Sequence, residues 1–189
     1  MFQDLAFIFK TPLRAKVATF FIRQPGEWRC AADVASTIQS TKSAVSKELA
    51  RLVRFGLLKS KRMGTTAVYA SNESDELFAP LAAFLATVAT PTDKEILDAL
   101  RAVRGITLIV AGGLLTQEPK SSVELLIVGK HPNTKLIERA VKKLENVAAI
   151  PIRFAVLEAG EYSERRQAYD RMLRDLFEFK HRVILEKGS

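Results

Sequence analysis

The chain has 189 residues, of which 48% are hydrophobic, so it can bury a core in one large or two small domains. Its single cysteine, Cys30, excludes an internal disulfide and fits a reducing cytoplasm. No run reaches the ~18 apolar residues of a membrane span. Residues 2–9 lack the basic flank and cleavage site of a signal peptide. We therefore expect a cytoplasmic protein with no membrane partner.

The positive charge is concentrated in the amino-terminal part of the chain. Residues 1–72 hold 12 Lys and Arg against 4 Asp and Glu, which accounts for the whole net charge of +8, and the remaining residues hold 17 of each. A basic segment of this kind indicates a nucleic-acid partner. A basic helix on a membrane surface is the alternative, but these charges are spread over three predicted helices and a hairpin rather than one amphipathic stripe.

Two helices are predicted at the start of this basic segment. The first covers residues 13–23, with Pro12 in its first turn and Pro25 and Gly26 after its end. The second covers residues 31–39. The residues expected to face the core are Val17, Phe20, Phe21, Val34 and Ile38.

The third predicted helix, residues 42–55, has one apolar and one polar, basic face. At about 100° per residue, Val45, Leu49, Leu52 and Val53 fall on one side and Ser43, Lys47, Ala50, Arg51 and Arg54 on the other. We expect Thr41 to cap its start and Gly56 to end it in a left-handed conformation. Two short helices joined by a turn at Ser40 and Thr41 are typical of a helix-turn-helix, whose second helix enters the major groove.

A β-hairpin is predicted directly after this helix. Residues 57–62 and 67–70 are its strands, and residues 63–66 form the turn. A basic hairpin after such a helix indicates the wing of a winged helix, lying along a phosphate backbone. A small helical domain with a solvated helix and an ordinary hairpin is the alternative, but it does not explain why all these features follow in order.

The predicted DNA-binding residues lie on the third helix and on the wing. They are Lys42, Ser43, Ser46, Lys47, Arg51, Arg54, Lys59, Lys61, Arg62 and Thr65. We expect Lys47 to reach a base edge, because it lies one turn into the helix on the face opposite Val45 and Leu49. We expect Arg54, near the helix end, to meet phosphate.

Residues 74–104 are predicted to be connecting helices. The first, which Ser74 or Asp75 is expected to cap, has more apolar residues than a linker needs: Leu77, Phe78, Leu81, Phe84, Leu85 and Val88. It therefore indicates a helix packed on both domains or against a second subunit. The second is predicted at residues 93–103, and its inward residues are Ile96, Leu97, Leu100 and Val103.

From residue 105 the pattern changes to that of an α/β domain. Residues 106–110 and 123–128 are continuous apolar runs, which are typical of central strands in a sheet covered on both faces. A helix is predicted at residues 133–146 and an alternating strand at residues 150–157. A long charged helix is predicted at residues 161–181, and an apolar stretch at residues 183–185 ends the chain.

The second domain resembles the minimal nucleotidyltransferase fold at residues 108–113 and 121–129. In that family a strand ending in Gly-Ser opens a phosphate-binding loop, and the next strand carries two metal-binding acids one residue apart. Here Gly112 and Gly113 stand for the Gly-Ser pair, Ser122 replaces the first acid and Glu124 keeps the second. The predicted third strand holds Arg153 and no internal acid.

The resemblance implies this fold without its activity. Two-metal phosphoryl transfer needs several carboxylates to hold cations about 4 Å apart, and one Glu beside a Ser does not supply them. We therefore predict no enzyme activity, no catalytic residue, no metal and no cofactor. The resemblance instead implies a vestigial nucleotide pocket formed by Gly112, Gly113, Ser122 and Glu124. A nucleotide or another small ligand is therefore a candidate partner.

The whole chain resembles a prokaryotic group that joins a winged-helix regulator to such a domain. The match spans residues 5 to about 180 and rests on residues 9–14, 45–49, 56–58 and 69–72. It implies a two-domain protein of the α+β and α/β classes. The winged helix takes residues 1–73, the connecting helices residues 74–104, and an inactive nucleotidyltransferase-like α/β domain residues 105–189.

The remaining reactive residues do not form a site in the sequence. His131 and His181 are isolated, and together with Cys30 they do not make a metal site. Cys30, near a helix start, is a candidate redox sensor, although a small buried residue is the more common case. We expect Trp28 to anchor the loop between the first two helices.

These patterns predict a sequence-specific, DNA-binding transcriptional regulator whose second domain serves dimerisation or ligand sensing. The alternative is an active nucleotidyltransferase targeted by its winged helix, and a third hypothesis is a protein-interaction module. The missing acids disfavour the enzyme, and the charge distribution disfavours the protein-only module. Because one winged helix reads few base pairs, we expect a homodimer on double-stranded DNA.

Overall fold

The computed structural model describes residue 6, residues 8–118 and residues 120–187. Over these residues the protein is a mixed α/β chain with two sheets. It divides into two compact units, one of residues 1–90 with 145–151 and one of residues 91–144 with 152–189. The two predicted connecting helices are therefore separated: the first belongs to the first unit and the second to the second unit.

The first unit begins with α1 (Pro12–Ile22) and α2 (Ala31–Thr37). α1 starts at Thr11, whose hydroxyl accepts a hydrogen bond from the backbone N–H of Arg14 at 3.1 Å. Proline is favoured in this first turn because its nitrogen needs no hydrogen-bond partner there. The core residues predicted for both helices are all buried: Val17, Phe20, Phe21, Val34 and Ile38.

The third helix, α3 (Lys42–Arg54), has both of its predicted ends. The hydroxyl of Thr41 accepts a hydrogen bond from the backbone N–H of Ala44 at 3.2 Å, which satisfies a donor that the helix leaves unpaired. After the helix, Gly56 has a φ of +83°, a conformation that a residue with a Cβ adopts only under strain. Both sequence signals for this helix are confirmed.

A small antiparallel sheet follows from β1 (Arg29–Cys30), β2 (Leu58–Met63) and β3 (Thr66–Ser71), in the order β1-β3-β2. β2 and β3 pair along their full length without a bulge. Gly64 turns the chain between them with a φ of +59°. The predicted hairpin is thus present, and β1 adds a strand that the sequence pattern did not indicate.

The last helix of the first unit, α4 (Phe78–Val88), packs on the core of this unit. Leu85 is fully buried, and four further residues are partly buried against the same core: Phe78, Leu81, Ala82 and Val88. Leu77 is 64% exposed and Phe84 is 38% exposed. The wide apolar face therefore packs in part within its own unit and leaves two large side chains in solvent.

Arg23 joins the ends of α1 and α4. Its guanidinium donates to the carbonyl of Ala89 at 2.7 Å, and the residue is 7% exposed. Burial lowers the pKa of Arg23 to about 10, which leaves it charged at neutral pH. A buried cation thus satisfies a carbonyl that the end of α4 leaves unpaired.

The second unit is built on a four-stranded sheet in the order β6-β5-β4-β7. Its strands are β4 (Ile106–Ala111), β5 (Leu125–Gly129), β6 (Phe154–Glu158) and β7 (Arg182–Glu186). β4 pairs antiparallel with β5 and β7, and β5 pairs parallel with β6. The two continuous apolar runs are therefore the central strands, as predicted, and they are almost wholly buried.

Helices accompany this sheet along the chain: α5 (Asp93–Leu100), the 3₁₀ helix Gly113–Thr116, α6 (Thr134–Ala148), α7 (Ala159–Gln167) and α8 (Arg171–Glu178). The last residues of α6 belong to the first unit. α8 covers one face of the sheet with two buried leucines. This core contains Leu108, Val110, Leu126, Val128, Leu173 and Leu176.

The long helix predicted at residues 161–181 is wrong, because the structure has two helices there. Tyr169, between α7 and α8, has a φ of +54°, and the carboxylate of Asp170 caps α8 by accepting the Leu173 N–H at 3.1 Å. The left-handed Tyr169 follows the end of α7, and Asp170 begins α8, because an aspartate side chain stabilises a helix start. The apolar stretch predicted at residues 183–185 lies in β7, an edge strand of the sheet.

Other differences from the predicted elements are smaller. β5 and β6 begin two and four residues later than predicted. Leu97, predicted to point inward in α5, is 38% exposed. Neither Ser74 nor Asp75 caps α4; instead Asp75 accepts the N–H of Leu77, which precedes the helix, at 2.9 Å. Local patterns locate an element better than they locate its ends.

Candidate nucleic-acid interface

The sequence predicts ten nucleic-acid contacts, and the structure brings them onto α3 and the neighbouring hairpin. We refer to these ten residues as the basic surface: Lys42, Ser43, Ser46, Lys47, Arg51 and Arg54 from α3, with Lys59, Lys61, Arg62 and Thr65 from the hairpin. Nine are exposed, and Ser46 is half-buried. The opposite face of α3 is buried through Val45, Leu49 and Leu52, so the core fixes which side of the helix faces solvent.

A cleft of about 220 Å³ lies between the start of α3 and the hairpin turn. Lys42 and Ser46 line it from the helix, Thr65 lines it from the turn, and Thr66 lines it from the start of β3. Residues that are distant in the sequence therefore share one polar wall. A cation, hydroxyls and a helix start are groups that bind phosphate oxygens.

Glu48 changes the charge available on this surface. It is 5% exposed, and its carboxylate is bound by Arg14 Nε from α1 at 2.7 Å and by Arg51 on its own helix. Half of the Arg51 side chain is exposed, but its guanidinium already has an anionic partner. Lys47 and Arg54 have no such partner among the described residues. The sequence signal for this pair was the spacing of Glu48 and Arg51, which places them on adjacent turns.

The Trp28 ring lies close to two lysines of the hairpin. The Nζ of Lys61 lies 3.9 Å from the centroid of the Trp28 ring, and the Nζ of Lys59 lies 5.8 Å from it. Cations at these distances are attracted by the face of an aromatic ring. Sequence reasoning predicted both lysines as DNA contacts and assigned Trp28 to the loop between the first two helices, but it missed the contact between them. The available signal was their spacing, because residues two apart in a strand project from the same face.

In the second unit, Glu124 is buried and bound by Arg153. The carboxylate accepts the Arg153 backbone N–H at 2.6 Å, Nε–H at 3.1 Å from each oxygen, and a terminal N–H at 2.5 Å. The Glu124 side chain is 1% exposed. Hydrogen bonding to Glu124 raises the pKa of Arg153 above its ordinary value. Glu124, which was predicted to belong to a vestigial pocket, therefore already has a cationic partner.

The glycine pair of the predicted vestigial pocket lies against protein side chains. Gly113 has a φ of +55°, and a Cβ there would lie 3.0 Å from the Glu124 Oε1. A Cβ on Gly112 would collide with the Leu176 side chain. Ser122 contributes a buried Oγ that has no hydrogen-bond partner among the described residues. Both glycines are thus explained by close packing around Glu124 and Leu176.

The cysteine and histidines lie apart from one another. Cys30 is half-buried at the start of α2, where its Sγ lies 3.2 Å from Asp33 Oδ2. His131 Nδ1 lies 3.0 Å from Glu158 Oε1, and His181 is exposed. Over residues 8–118 and 120–187, no three His, Cys, Asp or Glu side chains are grouped as metal ligands.

Comparison with protein-family models, curated proteins and solved structures gives no match for this chain. In the part of the chain that the structure describes, every helix is too short or too polar to cross a bilayer.

Proposed function

We propose that this protein is a sequence-specific transcriptional regulator that binds double-stranded DNA through a winged helix. In this proposal α1, α2 and α3 form the helical part, α3 is the recognition helix, and the β2–β3 hairpin is the wing. The basic surface carries the proposal, because its cations lie on one exposed helix face and on the adjoining hairpin. The whole net charge of +8 belongs to residues 1–72, and DNA affinity depends on such phosphate-neutralising charge.

The residues of the basic surface have different proposed roles. Lys47 reaches a base edge, because it is exposed near the middle of the α3 face and lacks an anionic partner among the described residues. Arg54, Lys59, Lys61 and Arg62 meet phosphates, whose contacts set position rather than sequence preference. Arg51 contributes less, since Glu48 shares its charge.

The second unit has a proposed non-catalytic role in dimerisation or ligand sensing, on a degenerate nucleotidyltransferase-like fold. Its support is the pair of Glu124 and Arg153: a carboxylate that accepts hydrogen bonds from Arg153 on both oxygens has little capacity left for a cation. A DNA partner and one half-buried thiol also fit a cytoplasmic protein.

Selection of bound duplexes from a random pool by the full chain tests this proposal. We expect an enriched sequence, and we expect log affinity for it to fall with log salt, with a slope of about −0.9 for each phosphate contact. The charge-matched control is Lys143→Ala, at an exposed lysine on α6 in the second unit. A pool that shows no enrichment after binding, or a Lys143→Ala variant as weak as Lys47→Ala, contradicts the proposal.

A further inference from the structure

A larger cleft lies in the second unit, where α7 ends and α8 begins. Its volume is about 740 Å³, within the usual range for small-molecule pockets. The break between the two helices opens it, since Tyr169 has a left-handed backbone there and Asp170 starts the new helix. This cleft has no part in the proposed DNA contacts, and its own chemistry is independent of them.

Two arginines make the cleft cationic. Arg166 lines it from α7 and Arg174 from α8, and both are exposed. The Arg166 guanidinium has no hydrogen bond or ion pair with another described residue, and the nearest carboxylate oxygen of Asp175 is 4.0 Å from Arg174. Two guanidinium groups that line one cleft are suited to one phosphate or carboxylate.

The acid in the cleft does not cancel this charge. The carboxylate of Asp170 accepts the Leu173 N–H at 3.1 Å and lies 3.7 Å from a guanidinium nitrogen of Arg165. Arg165 is absent from the lining and also binds Glu161 at 2.7 Å, so it offsets Asp170 only in part, and the two lining arginines still outnumber the one lining acid. Arg166 and Arg174 are left to meet a ligand.

The remaining walls are apolar and aromatic. Leu173 is buried, Phe177 is half-buried, and the Tyr169 side chain is largely in solvent at 83% exposure. The His181 ring meets the Phe177 ring edge-on, with centroids 5.2 Å apart. Because His181 Nδ1 lies 2.9 Å from the Phe179 carbonyl, which only accepts, Nδ1 carries a proton and Nε2 remains for a ligand.

We propose that this cleft binds a small molecule that joins one planar aromatic ring to one anionic group, phosphate or carboxylate. The guanidinium groups of Arg166 and Arg174 hold the anion. The rings of Tyr169 and Phe177 pack against the planar part, as aromatic rings do in offset or edge-to-face contacts. An anion alone would contact only the two arginines, and a ring alone would contact only the aromatic side chains.

Titration of the full chain, followed by amide resonances in heteronuclear NMR spectra, tests the site with four probes. AMP joins a ring to a phosphate, and 4-hydroxybenzoate joins a ring to a carboxylate. Adenosine supplies the ring alone, and ribose 5-phosphate supplies the anion alone. We expect AMP or 4-hydroxybenzoate to shift amides of residues 166–181 and to bind at least about 10-fold tighter than adenosine and ribose 5-phosphate, which each supply one feature. The tighter of the two identifies the anionic group.

Matched variants then assign the charge. Arg166→Gln and Arg174→Gln each weaken binding about 10-fold, with unchanged unfolding curves because both side chains are exposed. The control is Arg171→Gln, on the same helix, 88% exposed and outside the lining. Equal losses in all three variants, binding of adenosine or ribose 5-phosphate as tight as that of both AMP and 4-hydroxybenzoate, or no shifts up to about 10 mM of any probe would overturn the proposal.

Discussion

Glu48 in α3 lies 2.7 Å from Arg14 in α1, and both side chains are largely buried, at 7% and 13% exposure. Arg51 binds the second carboxylate oxygen from the solvent side. The helix that carries most of the basic surface is therefore tied to α1 by charge as well as by apolar packing. This link bears on both the stability of the first unit and the charge it presents.

Replacement of Glu48 by Gln is expected to destabilise the first unit by roughly 3 kcal/mol, because it leaves the buried Arg14 without an anion. Trp28 is the only tryptophan and lies in this unit, so its fluorescence during urea unfolding reports the change. The control is Glu27→Gln, at a pair with Arg29 whose side chains are 55% and 39% exposed. That change is expected to cost less than about 1 kcal/mol. Equal losses would mean that the buried pair contributes no more than a surface pair.

Lys47→Ala is expected to change sequence preference as well as affinity, by about 1–3 kcal/mol at the position it reads. The measurement compares binding to the selected duplex and to its single-base variants at one salt concentration. Lys143→Ala serves as the control for loss of one positive charge. If the variant is weaker on every duplex by the same factor, Lys47 contacts phosphate instead of a base.

No nucleotidyl transfer is expected from this chain. Arg153 donates to both oxygens of Glu124, so the carboxylate is poorly placed to hold a catalytic metal. The assay incubates the protein with each labelled nucleoside triphosphate, Mg²⁺ or Mn²⁺, and candidate acceptors. Label transfer that disappears in Glu124→Gln would establish the enzyme instead.

A homodimer is expected, built from α4 or from the second unit. Leu77 and Phe84 remain exposed beside the buried part of α4, and a two-fold DNA site usually joins two modules. Light scattering at micromolar concentration and moderate salt measures the mass, which should be twice that of the 21.0 kDa chain. Tight operator binding by a 21.0 kDa species would exclude the dimer.

Variants distinguish the two possible dimer surfaces. Phe84→Asp should shift the mass toward the monomer if α4 is the interface, because the buried apolar contact would have to hold a charge. Met63→Asp is the matched control, since Met63 is an exposed apolar residue, at 58%, on β2 of the same unit. An unchanged dimer in Phe84→Asp assigns the interface to the second unit.

The sequence by itself determined the local features of the fold. Thr41 and Gly56 set the ends of α3, since a hydroxyl cap and a left-handed glycine act on their immediate neighbours. Helical periodicity separated the buried Val45 and Leu49 from the exposed Lys47. Continuous apolar runs likewise identified β4 and β5 as central strands, because a strand buried on both faces admits few polar residues.

Only the tertiary structure decided which charges have partners. Lys47 and Arg51 fall on the same face of α3, yet Arg51 shares Glu48 with an arginine from α1. Glu124 and Arg153 are 29 positions apart in the chain and meet only because β5 and β6 are neighbours in the sheet. Periodicity reports which side of an element is buried. An ion pair between two elements also requires that both side chains come into contact, and the packing of the whole unit decides whether they do.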